Sequence, residues 1–279
     1  MKKDVFPCSR GNPVFIPISE GPPWKLREWT LYAWPKTPDG LPTKAVSFLS
    51  DWSWWTDKKK RRINVADRSD LETLRESALE TGADKAVIIP VSDVLLDPRV
   101  RLKCMIPKCY MSGSCGHCPP HGNSIQEVRE ILSRFRQGIF FQVPVKSTII
   151  AAKSLYKAIE TGIMDNEGNA FNLGGHYILV FSIVKLLQKR AKSMGYRVTH
   201  GFAAGNCRDP FCHLQPHCRD LMTQKGCRHP ELSSFSMESC GMDVFTMAAR
   251  AGWNHYPIGG TCTPESVPTG NLMGLVLVA

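Results

Sequence analysis

The chain has 279 residues, of which 43% are hydrophobic and 22% are charged, and its formal net charge is +10. This composition is ordinary for a soluble globular protein, and the first residues lack the apolar run of a secretory signal. The longest apolar stretch, residues 177–187, contains Lys185 and is shorter than the roughly 20 residues of a membrane span, so we interpret it as a buried helix. A cytoplasmic, reducing location is therefore expected.

The positive charge favours anionic partners. It is densest at residues 58–62, where three lysines precede two arginines. A solvated loop is the favoured interpretation of this run, because no recognisable nucleic-acid-binding module accompanies it. We therefore expect a protein partner with an acidic surface rather than a nucleic acid.

Residues 1–65 differ in composition from the rest of the chain. They hold six of the seven tryptophans and many prolines, and proline at this density breaks helices and central strands. The segment is predicted to be an irregular extension with short strands that wraps on the main body or on a partner. Packed tryptophans are the favoured interpretation, whereas exposed ones would make the segment an interface through which the chain could form an oligomer.

Hydrophobic periodicity, cap residues and glycines predict the same order of elements in residues 66–150 and in residues 151–279. In the first half these are a helix over 69–81, a strand over 86–91, a cysteine group, a helix over 124–137 and a strand over 139–145. In the second half they are a helix over 173–193, a strand over 196–203, a cysteine group, a helix over 237–251 and a strand over 274–278.

The cysteine spacing repeats together with the elements. Three cysteines of the first group have counterparts 103 residues later, and a fourth follows each triplet close to proline. The first group is Cys104, Cys109, Cys115 and Cys118, and the second is Cys207, Cys212, Cys218 and Cys227. An internal duplication is predicted, with a chance match of loops as the alternative. The predicted fold class is α+β or α/β, with two pseudo-repeated halves, each a small sheet with packed helices and a cysteine-rich metal loop at the strand ends.

Clustered cysteines in a reducing compartment are more often metal ligands or catalytic thiols than disulfides. Zinc sites usually present paired C-x2-C knuckles, and only Cys115 and Cys118 have that spacing, whereas iron–sulfur loops use uneven spacings. The sequence therefore favours two 4Fe–4S clusters and keeps zinc as the less favoured metal. A neighbouring histidine could replace a thiolate, and the candidates are His117, His121, His213, His217 and His229.

Short stretches around both groups form a wider signature. They are RVRLKC at 99–104, KC at 108–109, CPP at 118–120, GNC at 205–207, CRHPE at 227–231 and SME at 236–238, followed by Gly241, Asp243 and Val244. In these stretches the chain resembles, over residues 82–279, an uncharacterised family of cysteine-rich proteins of anaerobic bacteria and archaea that are described only as predicted metal-binding proteins. The resemblance implies metal binding, with iron–sulfur clusters as the expected form. It also implies three ligands in the first group, Cys104, Cys109 and Cys118, which makes Cys115 an addition in this chain.

The role of Cys115 has a mechanistic consequence. Four protein thiolates would close an iron–sulfur cube and suit electron transfer, whereas three would leave one iron open to a substrate. Glu238 is then a weak candidate for an acid or base, and its alternative role is a glutamate at a helix N-terminus. Cys8, Cys240 and Cys262 stand apart from both groups, with Cys240 predicted to be a buried small hydrophobe.

Three functions follow in order of preference. The first is a two-cluster electron-transfer protein or redox accessory component of an anaerobic enzyme system, which would dock an acidic donor such as a ferredoxin or join a larger enzyme complex. The second is an enzyme with an open-iron 4Fe–4S cluster. The third is a zinc-stabilised binding module.

Overall fold

A computed structural model of the chain describes residues 67–106, 108–161, 167–223, 225–258 and 262–279. The predicted N-terminal extension over residues 1–65, its tryptophans and Cys8 all lie outside the described residues. The interface and the oligomer that we expect from that segment therefore remain predictions.

The described residues form helices on a sheet. The α-helices are α1 Arg68–Glu80, α2 Ile125–Leu132, α3 Ser147–Ile150, α4 Lys153–Thr161, α5 Asn169–Ser193, α6 Arg208–Cys212, α7 Arg219–Thr223 and α8 Val244–Arg250. The strands are β1 Lys85–Pro90, β2 Gln137–Val145, β3 Thr199–Ala203, β4 Phe235–Ser236 and β5 Gly270–Val278. Three 3₁₀ turns, Val91–Asp93, Pro98–Cys104 and Pro264–Ser266, complete the secondary structure.

The strands lie in the order β1-β2-β5-β3-β4, and every neighbouring pair is antiparallel except β3 and β4. This mixed α+β architecture confirms the predicted fold class. One detail differs from the prediction, because the described strands share a single sheet instead of forming one sheet in each half. The reason is β5, which comes last in the chain and pairs with β2 on one side and with β3 on the other. The internal duplication itself remains a prediction.

Strand β5 is buried along its whole length, because both faces of the sheet are covered. Alternate side chains therefore enter two different cores. Leu272, Val276 and Val278 belong to the core that contains the buried residues of α1 and α5, whereas Met273, Leu275 and Leu277 belong to the core with Phe140 and Met237. A nearly continuous apolar sequence in β5 is the expected composition for such a central strand.

Local signals explain where the first helices begin. The Asp67 side chain accepts a hydrogen bond from the Ser69 amide at the start of α1, at 3.1 Å. At α2 the Ser124 hydroxyl accepts from the Glu127 amide, and the Glu127 carboxylate accepts from the Ser124 amide, which completes a capping box. The predicted helices over 69–81, 124–137 and 173–193 are confirmed, although α2 ends five residues earlier than predicted.

The helix predicted over 237–251 is shorter in the structure and begins only at Val244. Residues 237–241 instead form a tight turn that follows β4, in which the Met242 amide donates to the Met237 carbonyl at 2.9 Å. Gly241 ends this turn with φ +79°, and a Cβ atom at this position would lie 2.2 Å from Ile125 Cδ1. This close approach and left-handed backbone require glycine, and they place Glu238 in the turn rather than on a helix.

Helix α5 is long and apolar enough to cross a membrane by length and composition alone. It packs against β3 and β5, and Val180, Phe181, Val184 and Leu187 are fully or almost fully buried in the core. This packing fits the core helix of a soluble protein, in agreement with the sequence interpretation of residues 177–187.

His200 on β3 predicts a pH dependence of stability. Burial, together with the charges of Lys185 and His117, lowers the pKa of its imidazole below the usual 6.5. A lowered pKa means that the unfolded chain binds the proton more readily, so this contribution to stability is complete above about pH 6.5 and is lost as the pH falls. We expect His200→Leu to lose less unfolding free energy than the wild type between about pH 7.5 and 5.5, as measured by urea denaturation. If His200→Leu lost as much unfolding free energy over this pH range as the wild type, this assignment would be wrong.

Candidate metal centres

The first cysteine group lies on the connection between β1 and α2. The 3₁₀ turn Pro98–Cys104 opens it, with the Asp97 side chain accepting from the Arg99 amide at 2.8 Å. The chain then folds back, so that the Cys109 amide donates to the Cys104 carbonyl and the Cys118 amide to the Cys115 carbonyl. Two turns thus bring the four cysteines of this group close together in space.

The second group lies between β3 and β4 and includes the short helices α6 and α7. Cys207 precedes α6, Cys212 ends it, and Cys227 accepts a hydrogen bond from the His229 amide at 3.3 Å. Cys218 and Cys227 are near enough to raise the pKa of the Cys212 thiol by their charges, although burial is the larger cause. The Cys212 thiol therefore lies near Cys218 and Cys227.

Three arginines fasten the second cysteine loop. Their guanidinium groups donate hydrogen bonds to backbone carbonyls. None of the three takes part in an ion pair within the described residues. The bonds run from Arg208 to Ser114 and Pro216, from Arg219 to Gly226 and Cys227, and from Arg228 to His217. The arginines therefore cross-link the loop and keep their positive charge beside the thiols.

The two cysteine groups meet at the end of the sheet where β3 leaves. The Cys115 thiol interacts with both Cys118 and Cys207, which lower its pKa, so the two groups come close to each other at Cys115. The Tyr110 hydroxyl donates to Asp209 at 2.5 Å and adds a second link between the loops. The structure therefore places Cys115 and Cys118 of the first group beside Cys207 of the second.

Cys115 differs electrostatically from its neighbours. Hydrogen bonds from Cys118 and then from Cys207 lower the pKa of the Cys115 thiol. The same bonds, followed by burial, raise the pKa of Cys118 and of Cys207. The three sulfurs therefore hold one thiolate readily and resist forming a second, which is the repulsion that a bound cation would relieve.

A cavity of about 320 Å³ opens beside the first group. Its wall contains Cys104, Cys109 and Cys118, but Cys115 does not contribute to it. Cys115 is almost completely buried and lies with Cys118 and Cys207 in the core of α1 and α5. The cavity thus receives three of the four thiols of the first group.

Glu238 lies on the wall of this cavity, in the turn after β4. Burial raises the pKa of its carboxyl, and Lys103 offsets that rise only in part. The Glu238 charge also contributes to the raised pKa of Cys104, after burial and Cys109. A carboxyl group with a raised pKa therefore lies on the same wall as the three thiols.

The eight predicted ligands fit the chemistry of a thiolate-bound metal, since all are free thiols and lie in one region. Within the described ranges, no three His, Cys, Asp or Glu side chains already converge on one point in the way that a single metal ion requires. The His117 ring lies beside a predicted ligand, with Nδ1 at 3.4 Å from the Cys207 sulfur. Cys240 is buried in the opposite core, as predicted.

Sequence reasoning missed the polar wall of the cavity. Asn271, His255 and Tyr177 reach it from β5, from the segment after α8 and from α5. Burial raises the pKa of the Tyr177 phenol, with smaller contributions from Glu238 and Asp209. No spacing in the sequence connects these residues, because the sheet pairing alone brings them together.

Comparison with known proteins gives one match. A family model described as "Predicted metal-binding protein (DUF2284)" matches residues 87–278, which include both cysteine groups, Glu238 and all five strands except the first two residues of β1. No curated protein and no solved structure matches the chain.

Proposed function

This chain belongs to the family of predicted metal-binding proteins (DUF2284), and we propose that it is an iron–sulfur redox enzyme with two 4Fe–4S clusters. The cluster at Cys104, Cys109 and Cys118 would have one open iron that faces the cavity. The observation that carries this proposal is the cavity wall, which receives those three thiols and Glu238 but not Cys115.

Cys104, Cys109 and Cys118 would hold three irons of such a cluster, and its open iron would supply Lewis-acid or redox chemistry for a small molecule. Cys104 and Cys109 are held by the backbone bond between them, and Cys118 approaches from the next turn.

Glu238 supplies the proton in this proposal. Its raised pKa keeps the carboxyl protonated closer to neutral pH than an exposed glutamate, so it can donate to a substrate as electrons arrive and be reprotonated afterwards. The weak sequence candidate is therefore supported by its position in the cavity rather than by a place on a helix.

The second group supports the role of electron relay. Cys207 lies near Cys115, which in turn lies near Cys118 of the first group, so the two thiol sets approach each other at these three residues. Near the second group Leu214 and Met222 are exposed, at 84% and 64%, beside the arginines that fasten the loop. An apolar and positively charged surface suits an acidic electron donor such as a ferredoxin.

Metal analysis of anaerobically purified protein tests the proposal. We expect about eight iron atoms and about eight acid-labile sulfides per chain, with a broad visible absorption band that bleaches on reduction. A colourless protein that carries zinc in place of iron would overturn the iron proposal and favour the zinc-stabilised binding module.

Replacing Cys115 with Ser tests whether the cavity cluster has an open iron. We expect the iron content to remain at about eight atoms per chain, because Cys115 contributes no wall to the cavity. Iron analysis and low-temperature electron paramagnetic resonance (EPR) of the reduced protein provide the measurement. Loss of about four irons would instead show a cube closed by four cysteines, which suits an electron carrier without a substrate site.

A further inference from the structure

Two polar atoms on the cavity wall are buried and have no hydrogen-bond partner within the described part of the chain. They are Asn271 Oδ1 and His255 Nδ1. The Asn271 side chain belongs to a residue that is only 9% exposed. Because an unpaired buried polar atom costs about 1–3 kcal/mol, two such atoms on one cavity wall point to a ligand that forms hydrogen bonds with both.

The orientation of the Asn271 amide is fixed by its other end. Its Nδ2 donates to the Asn254 carbonyl at 3.2 Å, and this bond ties β5 to the residue that precedes His255. The amide nitrogen is therefore used by the protein, and the oxygen is left as a pure acceptor. A group bound there has to bring an N–H or O–H.

The charge around these atoms selects a neutral donor. Burial, followed by the charge of Lys103, lowers the pKa of His255 and so favours its neutral imidazole, and Nδ1 is a donor in the tautomer that carries the proton there. Lys103 is itself on the cavity wall, with Nζ 4.5 Å from the centre of the Phe245 ring. An ammonium group would be repelled by Lys103, and a carboxylate has no hydrogen to give to Asn271 Oδ1.

We infer that the cavity recognises an uncharged carboxamide, whose N–H donates to Asn271 Oδ1 and whose carbonyl oxygen accepts from His255 Nδ1–H. This inference deepens the proposed function, because it names the substrate class of the same cavity. A carboxamide is the common organic group that places one donor and one acceptor side by side without charge. A site built to bond such a group rejects analogues that lack the hydrogen.

Benzamide is the probe for this recognition. We expect it to bind the anaerobically purified, metal-loaded wild-type protein at least about tenfold more tightly than benzoate or N,N-dimethylbenzamide. Benzoate is negatively charged, and N,N-dimethylbenzamide has no N–H to donate. Saturation-transfer NMR with titration provides the dissociation constants. Equal affinity for the three probes, or no binding of benzamide, would overturn the inference.

Three variants locate the contact. Asn271→Leu and His255→Phe are each expected to weaken benzamide binding about tenfold, and the second keeps the ring that packs on Phe245. Gln142→Leu is the matched control, because Gln142 on β2 also has a buried amide oxygen without a partner in the described ranges but does not line the cavity. Benzamide affinity that is unchanged in both cavity variants would overturn the inference, even if one of them folds poorly.

Iron analysis of the same samples separates this inference from the proposed function. Amide selectivity in a protein that contains no iron would overturn the iron–sulfur enzyme and leave the amide site standing. Eight irons per chain without amide selectivity would support the iron–sulfur enzyme and overturn the amide site.

Discussion

Replacing Cys109 with Ser is expected to lower the iron content from about eight to about four atoms per chain and to abolish substrate binding to iron in the cavity, because the cavity cluster is the one that is lost. Cys109 lines the cavity with Cys104 and Cys118, so two thiolates would be left to hold a four-iron cube. Iron and sulfide analysis, with EPR of the reduced protein, measures the loss of one of the two cluster signals.

Cys240→Ser is the matched control for this loss. It removes one cysteine from the chain just as Cys109→Ser does, but Cys240 is fully buried in the core that faces away from the thiol cluster. The control should retain about eight irons per chain. If Cys109→Ser retained its full iron content, Cys109 would not be a ligand and the assignment of the cavity cluster would be wrong.

The second large effect concerns stability. Phe140→Ala should lower the free energy of unfolding by about 4 kcal/mol, which is in the usual range for truncating a buried phenylalanine. Phe140 is fully buried on the central part of β2, and its ring stacks on Trp253 with centroids 5.1 Å apart and planes inclined by 10°. Denaturation by urea, followed by tryptophan fluorescence, measures the change.

Phe171→Ala provides the comparison, because Phe171 is 86% exposed near the start of α5. It should change the free energy of unfolding by less than about 0.5 kcal/mol. If the two variants lost similar amounts of unfolding free energy, Phe171 would be covered in solution and Phe140 would contribute no more to stability than Phe171.

Much of the fold could be predicted from local sequence. The Asp67 cap, the Ser124–Glu127 capping box and the apolar periodicity of α1 act over a few residues, so a reader of the sequence can see them. The helix predicted over 237–251 was wrong in its first half, because the approach of Ile125 to Gly241 favours a turn there and comes from a distant part of the chain. Helices α6 and α7 have only five residues each and were not predicted, since they are too short for a hydrophobic period to appear.

The candidate site likewise contains residues that the sequence predicted and residues that it did not. All eight cysteines were identified from their spacing, and Glu238 from its place after the second group. The sequence could not show that Cys115 turns away from the cavity, because a spacing of three residues allows either direction. Asn271 and His255 carry no sequence signal for a site, since their meaning depends on the atoms that their neighbours leave unpaired.

The two cysteine groups show what the sequence determined and what the tertiary structure decided. By itself the sequence determined which side chains are candidate metal ligands, because thiols, carboxyls and their local turns are properties of the residues and of the few bonds around them. Only the tertiary structure decided which thiols share a space, because β5 pairs with strands of both halves and brings the two loops to one end of a single sheet. The cavity, with its three thiols, Glu238 and the Asn271 oxygen that has no partner in the described part of the chain, exists only after that pairing has formed.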